Sequence, residues 1–266
     1  MPEGDSIRRA AALLGPLLTG ARVTGAASRW PAVVDGVVGG VITALEPVGK
    51  HLLLHLDDAT TLRVHLGMNG RWRVLPPGAG GRWSLGRTAL RLDTAAGTAL
   101  CLDAPTVERF RTRERAEQPA LQLGPDVLAE GFDPDGAAAR AVTHPGTAAE
   151  ALLDQRVVCG VGNVWKCELL FVHRLDPFAA AAAVPVATWA ALWRDAHTRM
   201  TAQVARGGLR DTTGLGPGAP RHWVYERRGR PCLRCGARIS SRTHGRDLPR
   251  TTWWCPRCQA PRPPAT

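Results

Sequence analysis

The hydrophobic pattern changes period twice along the chain. Over residues 5–18, Ile7, Ala10, Leu14 and Leu17 recur at helical spacing and share one face, so this stretch is predicted to be an amphipathic helix. Asp5 or Ser6 can cap its start and Gly20 stops it, while Pro16 predicts an end one turn early. From about 22 to 103 the pattern becomes one of short strands, at 52–56, 61–65, 72–75, 89–92 and 99–102. They are punctuated by Asp-Asp, Gly-Met-Asn-Gly, Pro-Pro-Gly and Ala-Ala-Gly turns. Short strands with regular turn signals point to a sandwich or a barrel. Residues 104–125, with Pro105, Pro119, Pro125 and alternating charges, read as a linker. Beyond it the period is helical, at 126–130, 136–142, 147–154, 163–172 and 186–206, the last ended by Gly207-Gly208. A Gly/Pro-rich loop over 209–221 precedes a cysteine-bearing tail.

With 266 residues, 44% hydrophobic and 21% charged, the chain is a globular protein large enough for more than one domain. No apolar run approaches the ~20 residues of a membrane span. The start, Met-Pro-Glu-Gly-Asp-Ser, has no basic segment before an apolar one, so no secretory signal is expected and the compartment is expected to be cytoplasmic and reducing. In that setting seven cysteines point to metal binding or burial rather than to disulfides. The net charge is +11, and it is concentrated: residues 220–266 hold eleven Arg against Glu226 and Asp247. Such a tail suits a polyanion. Lysine is nearly absent, at Lys50 and Lys166 only.

The strongest local signal is Cys232-x2-Cys235-x19-Cys255-x2-Cys258, the spacing of a four-cysteine zinc site. Four thiolates close the coordination shell, so one structural Zn(2+) is expected. Strand-like residues at 239–243 and 251–254, with a turn over 244–249, make this a β-hairpin finger carrying Arg238, Arg242, Arg246 and Arg250. Cys101, Cys159 and Cys167 read as buried small hydrophobes.

Four weaker signals join it. Loss of Met1 would leave Pro2 with a free secondary amine, and an α-amino group is partly neutral at physiological pH; a secondary amine attacking a sugar C1' gives an iminium directly, with Glu3 beside it as acid or base. Gln155-x4-Gly160-Val161-Gly162-Asn163-x-Trp165-x2-Glu168 is a tight turn into a helix whose N-terminus attracts phosphate. Gly49-Lys50 opens a strand. His65-Leu66-Gly67-Met68-Asn69-Gly70 presents a methionine in a turn, as a wedge for a flipped nucleotide or as a residue tucked inward.

Taken together and in this order, these motifs resemble the formamidopyrimidine-DNA glycosylase / endonuclease VIII family over nearly the whole chain. The resemblance implies an α+β fold: an N-terminal β-sandwich domain with flanking helices over 1–118, a helix–two-turn–helix domain over 119–221 and a zinc finger over 222–266. It implies that DNA lies in a basic cleft between the domains. It implies Pro2 as nucleophile, Glu3 as the assisting carboxylate, Lys50 beside the lesion sugar and phosphate, Arg250 and Asn163 on the lesion phosphates, His65 as a further phosphate contact and Met68 as the wedge. Base loss through the iminium, followed by β- and δ-elimination, would leave a one-nucleotide gap. The Pro-Glu-Gly-Asp start resembles the endonuclease VIII branch and its actinobacterial members, and residues 103–108 lack the Asp-Pro-Arg-Arg-Phe-Gly of the oxoguanine branch, so oxidised pyrimidines are the expected substrates. His-Leu-Gly-Met is worded like the oxoguanine branch, which keeps 8-oxoguanine and formamidopyrimidine as the alternative. The expected partner is damaged double-stranded DNA, with bubble or single-stranded DNA as a further form, acted on by a nucleoid-associated monomer.

The chain departs from the family pattern at Ser6, where many members have a second glutamate; at Pro47-Val48, where an arginine is frequent; and at Glu226, where a glycine is commoner. Ser6 and Glu226 support a second reading, a catalytically silent zinc-finger DNA binder. A third, a zinc-ribbon RNA-binding protein, rests on the nine tryptophans as stacking surfaces.

Overall fold

The computed structural model describes residues 1–77, 84–246 and 249–260, and the chain divides into two compact units, Met1–Gln122 and Leu123–Thr266. The end of the Pro-Pro-Gly turn, part of the 244–249 turn and Arg262 lie outside the described residues.

The first unit opens with α1 (Gly4–Leu18), whose Ile7, Leu14 and Leu18 are buried. The helix does not stop early at Pro16. Proline removes one hydrogen bond to the preceding turn, but burial of Leu17 and Leu18 offsets that loss, each side chain contributing about 1.5–3 kcal/mol. Eight strands follow: β1 (Gly25–Ala27), β2 (Ile42–Val48), β3 (His51–Leu56), β4 (Thr60–His65), β5 (Arg71–Leu75), β6 (Thr88–Thr94), β7 (Gly97–Leu102) and β8 (Thr106–Arg111). They form two four-stranded sheets, ordered β1-β6-β7-β5 and β2-β3-β4-β8, with antiparallel pairing throughout. Leu52, Leu54, Leu62 and Val64 from one sheet share a core with Leu90, Leu92, Ala99 and Cys101 from the other and with α1. This is a β-sandwich. All five strands expected from the pattern are present.

Residues 104–125 are only partly a linker. Their first third is β8, paired with β4 in a register that sets Glu108 against Arg63 and Val107 against Val64. Part of the charge that reads as linker composition belongs to this edge strand, where Glu108 pairs with Arg63 across the ladder and Arg109 and Arg111 flank the buried Phe110.

In the second unit, α2 (Pro134–Val142), α3 (Ala148–Leu153), α4 (Asn163–Val172) and α5 (Val186–Arg206) enclose a core containing Trp165, Leu169, Trp189 and Trp193. Residues 126–130 are not helical. The Val127 N–H instead donates to the Cys159 carbonyl at 3.0 Å, in a short parallel bridge. A capping box starts α3, in which Thr147 and Glu150 satisfy each other's backbone N–H groups. The hairpin of β9 (Ser240–His244) and β10 (Arg250–Trp254) completes the unit. Cys101, Cys159 and Cys167 are fully buried, as expected. Among the described residues no helix is long and apolar enough to cross a membrane.

Candidate functional site

Pro2 is half-buried and leads directly into α1. Glu3 is the N-cap residue. Its carbonyl accepts from the Ser6 and Ile7 N–H groups at 2.8 and 3.1 Å, and its side chain is wholly buried. A carboxylate at a helix N-terminus lies in the favourable end of the helix dipole. Asp5 is also buried, and its Oδ1 accepts from the Ser6 N–H at 2.8 Å and from the Ser6 hydroxyl at 3.3 Å. Ser6, the departure from the family pattern, therefore binds the neighbouring acid locally.

Gly49 takes φ 54° and closes the β2–β3 turn, which delivers Lys50 to the first position before β3. His51 and His65 are partners across β3 and β4, with ring centroids 5.0 Å apart. Arg63 Nη1 lies 2.9 Å from His51 Nδ1, and Arg63 Nε donates to Glu108 Oε2 at 3.0 Å. A guanidinium only donates, so His51 Nδ1 is the acceptor and the ring proton sits on Nε2. Burial, reinforced by the charges of His65, Arg63 and Lys50, pushes the His51 imidazole down to about 3. Burial, followed by Lys50 and Arg63, lowers His65 as well. Two neutral rings therefore stand beside a lysine and a buried arginine.

The turn after β4 holds Met68 at 59% exposure. Gly67 has φ 58°, and a side chain there would meet Pro105 Cγ at 2.6 Å. A Cβ at Gly70 would come within 2.2 Å of the Leu66 carbonyl oxygen. Both glycines are required by the turn that lifts Met68 outward.

The Gly160–Asn163 turn is held by Gln155. Its Oε1 accepts from the Gly160 N–H at 3.0 Å, and its Nε2 donates to the Val161 carbonyl at 3.1 Å. Asn163, the first residue of α4, is buried, and its Nδ2 donates to the Thr251 carbonyl at 2.9 Å. The helix end and the strand headed by Arg250 are thereby joined. Lys166 is buried too, and its Nζ donates to Asn163 Oδ1 at 2.7 Å and Thr252 Oγ1 at 2.8 Å. Glu168 accepts from the Trp223, Val224 and Tyr225 N–H groups at 2.7, 2.9 and 2.9 Å and from the Thr212 hydroxyl. One buried carboxylate thus shapes the approach to the finger. These roles of Lys166 and Glu168 are not legible in the sequence; the signals there are the rarity of lysine and the place of Glu168 at the end of the Gln155–Glu168 motif.

Cys232, Cys235, Cys255 and Cys258 bring their sulfurs within 4.8 Å of one another, with Cys232–Cys258 at 3.9 Å and Cys235–Cys255 at 3.4 Å. Tetrahedral thiolates at about 2.3 Å from one zinc ion stand roughly 3.8 Å apart, so this donor set fits a single metal ion. The Arg234 and Cys258 N–H groups each point at a sulfur, at 3.4 Å. Gln259 ties the site to the bundle, donating to the Leu175 carbonyl at 2.9 Å. At the other end of the hairpin Glu150 Oε1 accepts from the Arg246 N–H at 2.9 Å, and Thr147 Oγ1 lies 2.8 Å from His244 Nε2. Arg242 stacks its guanidinium 3.6 Å above the Phe178 ring. Arg250 is exposed at the head of β10.

Glu226 adopts φ 57°, in the left-handed region. The backbone there suits a glycine, and the glutamate carries both strain and a negative charge among Arg221, Arg227 and Arg230.

Comparison with known proteins agrees with this layout. Residues 1–109 match the formamidopyrimidine-DNA glycosylase N-terminal domain, and residues 123–213 match the formamidopyrimidine-DNA glycosylase H2TH domain. A probable endonuclease 8 2 of Streptomyces coelicolor is 39% identical over 99% of this chain and 96% of its own. The DNA-(apurinic or apyrimidinic site) lyase Nei2 of Mycolicibacterium smegmatis is 36% identical over 97% of this chain and 99% of its own. Among solved structures, the MutM (Fpg) protein of Thermus thermophilus aligns with a TM-score of 0.79 at 30% identity, covering 98% of this chain and all of that one. Lactococcus lactis Fpg bound to DNA containing an AP site has the same fold, with a TM-score of 0.81 at 22% identity over 97% of this chain and all of that one.

Proposed function

Because the chain belongs to the formamidopyrimidine-DNA glycosylase / endonuclease VIII family, on the side of the actinobacterial endonuclease VIII proteins, we propose a residue-level account of its activity as a bifunctional DNA glycosylase and abasic-site lyase of base excision repair. The observation that carries it is the burial of Glu3 immediately after Pro2 at the head of α1.

A base inside the duplex hides its C1', so the damaged nucleotide is first turned out of the stack. Met68, exposed and held out by Gly67 and Gly70, fills the space left behind. After removal of Met1, the Pro2 nitrogen forms a bond to C1' while the C1'–base bond breaks, and the amine's N–H proton passes to the leaving base; the C1'–O4' bond then breaks as Glu3 hands a proton to O4', which opens the sugar and leaves a C1'=N iminium. The resulting iminium acidifies the C2' proton. Its loss expels the 3' phosphate, a second elimination expels the 5' phosphate, and water regenerates the amine. Lys50 and His65 meet the lesion strand from the first unit; Asn163 and Arg250 meet its phosphates from the second. Fixed donors aimed at developing negative charge stabilise it without reorganisation. The four cysteines would hold one Zn(2+), whose contribution is to fold the finger, since four thiolates leave it no open position. The Pro-Glu-Gly-Asp start and the actinobacterial relatives support oxidised pyrimidines in duplex DNA as substrates.

Borohydride trapping tests this reading. Untagged protein is incubated with duplexes carrying thymine glycol, dihydrouracil, 8-oxoguanine or a bare abasic site, then reduced. A covalent adduct is expected, strongest with the oxidised pyrimidines and the abasic site, and absent for Pro2→Gly. Tight binding to the abasic duplex with no adduct on any substrate would instead identify a silent DNA binder. An adduct strongest with 8-oxoguanine would move the chain to purine specificity.

A further inference from the structure

We infer that Lys166 is a positioning residue for phosphate recognition: its buried ammonium fixes the Asn163 amide so that an N–H faces the DNA backbone, and strengthens that N–H as a donor. The inference rests on Asn163 being a phosphate contact.

An ammonium has three donors and no acceptor. The Asn163 atom 2.7 Å from Lys166 Nζ is therefore the amide oxygen. The Thr251 carbonyl only accepts, so the atom 2.9 Å from it is the amide nitrogen. Two partners of opposite character agree on one orientation. An amide nitrogen carries two hydrogens; Thr251 takes one, and the other is the donor available to an anion. A cation on the oxygen draws electron density through the amide and makes that donor more acidic, the cooperative effect of linked hydrogen bonds.

Lys166 is itself held. It is 1% exposed on α4, one turn beyond Asn163, and its Nζ also donates to Thr252 Oγ1, which belongs to a wholly buried residue. A buried ammonium carries a large desolvation penalty, and a phosphate bound over Asn163 offsets part of it. The chain writes nearly every other basic position as arginine, yet this place needs a compact point charge on an unbranched stem. The Thr251 and Thr252 contacts also place the strand that begins at Arg250, so one lysine organises the phosphate contacts from both the helix and the finger.

A double-mutant cycle decides the matter. The metal-loaded full chain is titrated against a duplex carrying a tetrahydrofuran abasic analogue, as wild type, Asn163→Ala, Lys166→Met and the double variant. Each single variant is expected to weaken binding about tenfold, the scale of one hydrogen bond to a charged group. The double variant is expected to bind no worse than Asn163→Ala. Single-turnover cleavage at saturating protein is read alongside: Lys166→Met is expected to slow it no more than Asn163→Ala does, and the double variant no more than Asn163→Ala alone. Wild-type affinity for Lys166→Met, or losses that multiply in the double variant, overturns the assignment. Wild-type affinity for Asn163→Ala overturns the phosphate-contact reading beneath it. If Lys166→Met lowers the metal content, the same cycle run with Thr252→Val decides instead, because that change removes only the second acceptor of the ammonium. A smaller loss that disappears in the Asn163→Ala background is then expected, and a loss that persists there overturns the proposal.

Discussion

Arg63 donates to His51 Nδ1 at 2.9 Å, and this contact fixes His51 as a neutral acceptor inside the β2-β3-β4-β8 sheet. Its consequence is a defined acid sensitivity. The unfolded chain takes up a proton on this ring near the ordinary value of about 6.5, whereas the folded chain refuses it until about 3. Between those values the unfolded state binds more protons, so stability rises with pH. The contribution is fully present above about 6.5 and is lost as pH falls toward 3. His65, lowered for the same reasons, adds in the same direction. We expect the melting temperature of the wild type to fall between pH 6.5 and 4, and His51→Gln, which keeps an acceptor for Arg63, to show a shallower fall. Parallel melting curves for the two proteins would count against this origin.

Metal removal should act locally. The β9–β10 hairpin has few apolar side chains of its own, and the cysteines close it at its base. Stripping the metal with a strong chelator, or replacing Cys255 by Ser, is expected to melt the hairpin and release Thr251 and Thr252 from Asn163 and Lys166. Affinity for duplex DNA should drop at least ~10-fold, because metal binding supplies most of the folding free energy of such modules. Most of the helical far-UV signal should remain. Elemental analysis should find one zinc per chain. A chelated protein with full DNA affinity would remove the finger from the interface.

Glu226 offers a gain-of-function test. Replacing it by glycine relieves a left-handed glutamate, worth about 1 kcal/mol, and removes a negative charge from a basic surface. Glu226→Gly is expected to melt slightly higher and to bind duplex DNA a few-fold more tightly at low salt, with a steeper fall as salt rises. Unchanged affinity would mean that this loop stands clear of the phosphates.

The strands, the long helices and the finger were legible because each announces itself locally, through period, turn residues or cysteine spacing. The errors came where a tertiary partner decides the outcome. β8 resembles a linker until Arg63 is placed opposite Glu108, and then that glutamate is a cross-strand contact. Residues 126–130 look helical, but Cys159 offers the Val127 backbone a better partner. β1, three residues of Gly-Ala-Ala, has almost no side chain with which to declare itself. For the site, Lys50, Asn163 and the cysteines stand in motifs. Lys166 and Glu168 lie inside one of those motifs, yet apart from Asn163 their partners come from residues 212–252, which no spacing rule connects to α4. The left-handed backbone at Glu226 explains in conformational terms why its position favours glycine.

The finger hairpin is fastened to the helices at two places, through Glu150 to Arg246 in its turn and through Asn163 and Lys166 to Thr251 and Thr252 on β10. A ribbon clamped at two points cannot swing about either one. The finger therefore has no wrist: its stiffness is borrowed from the bundle, so whatever loosens α3 or α4 loosens the finger as well.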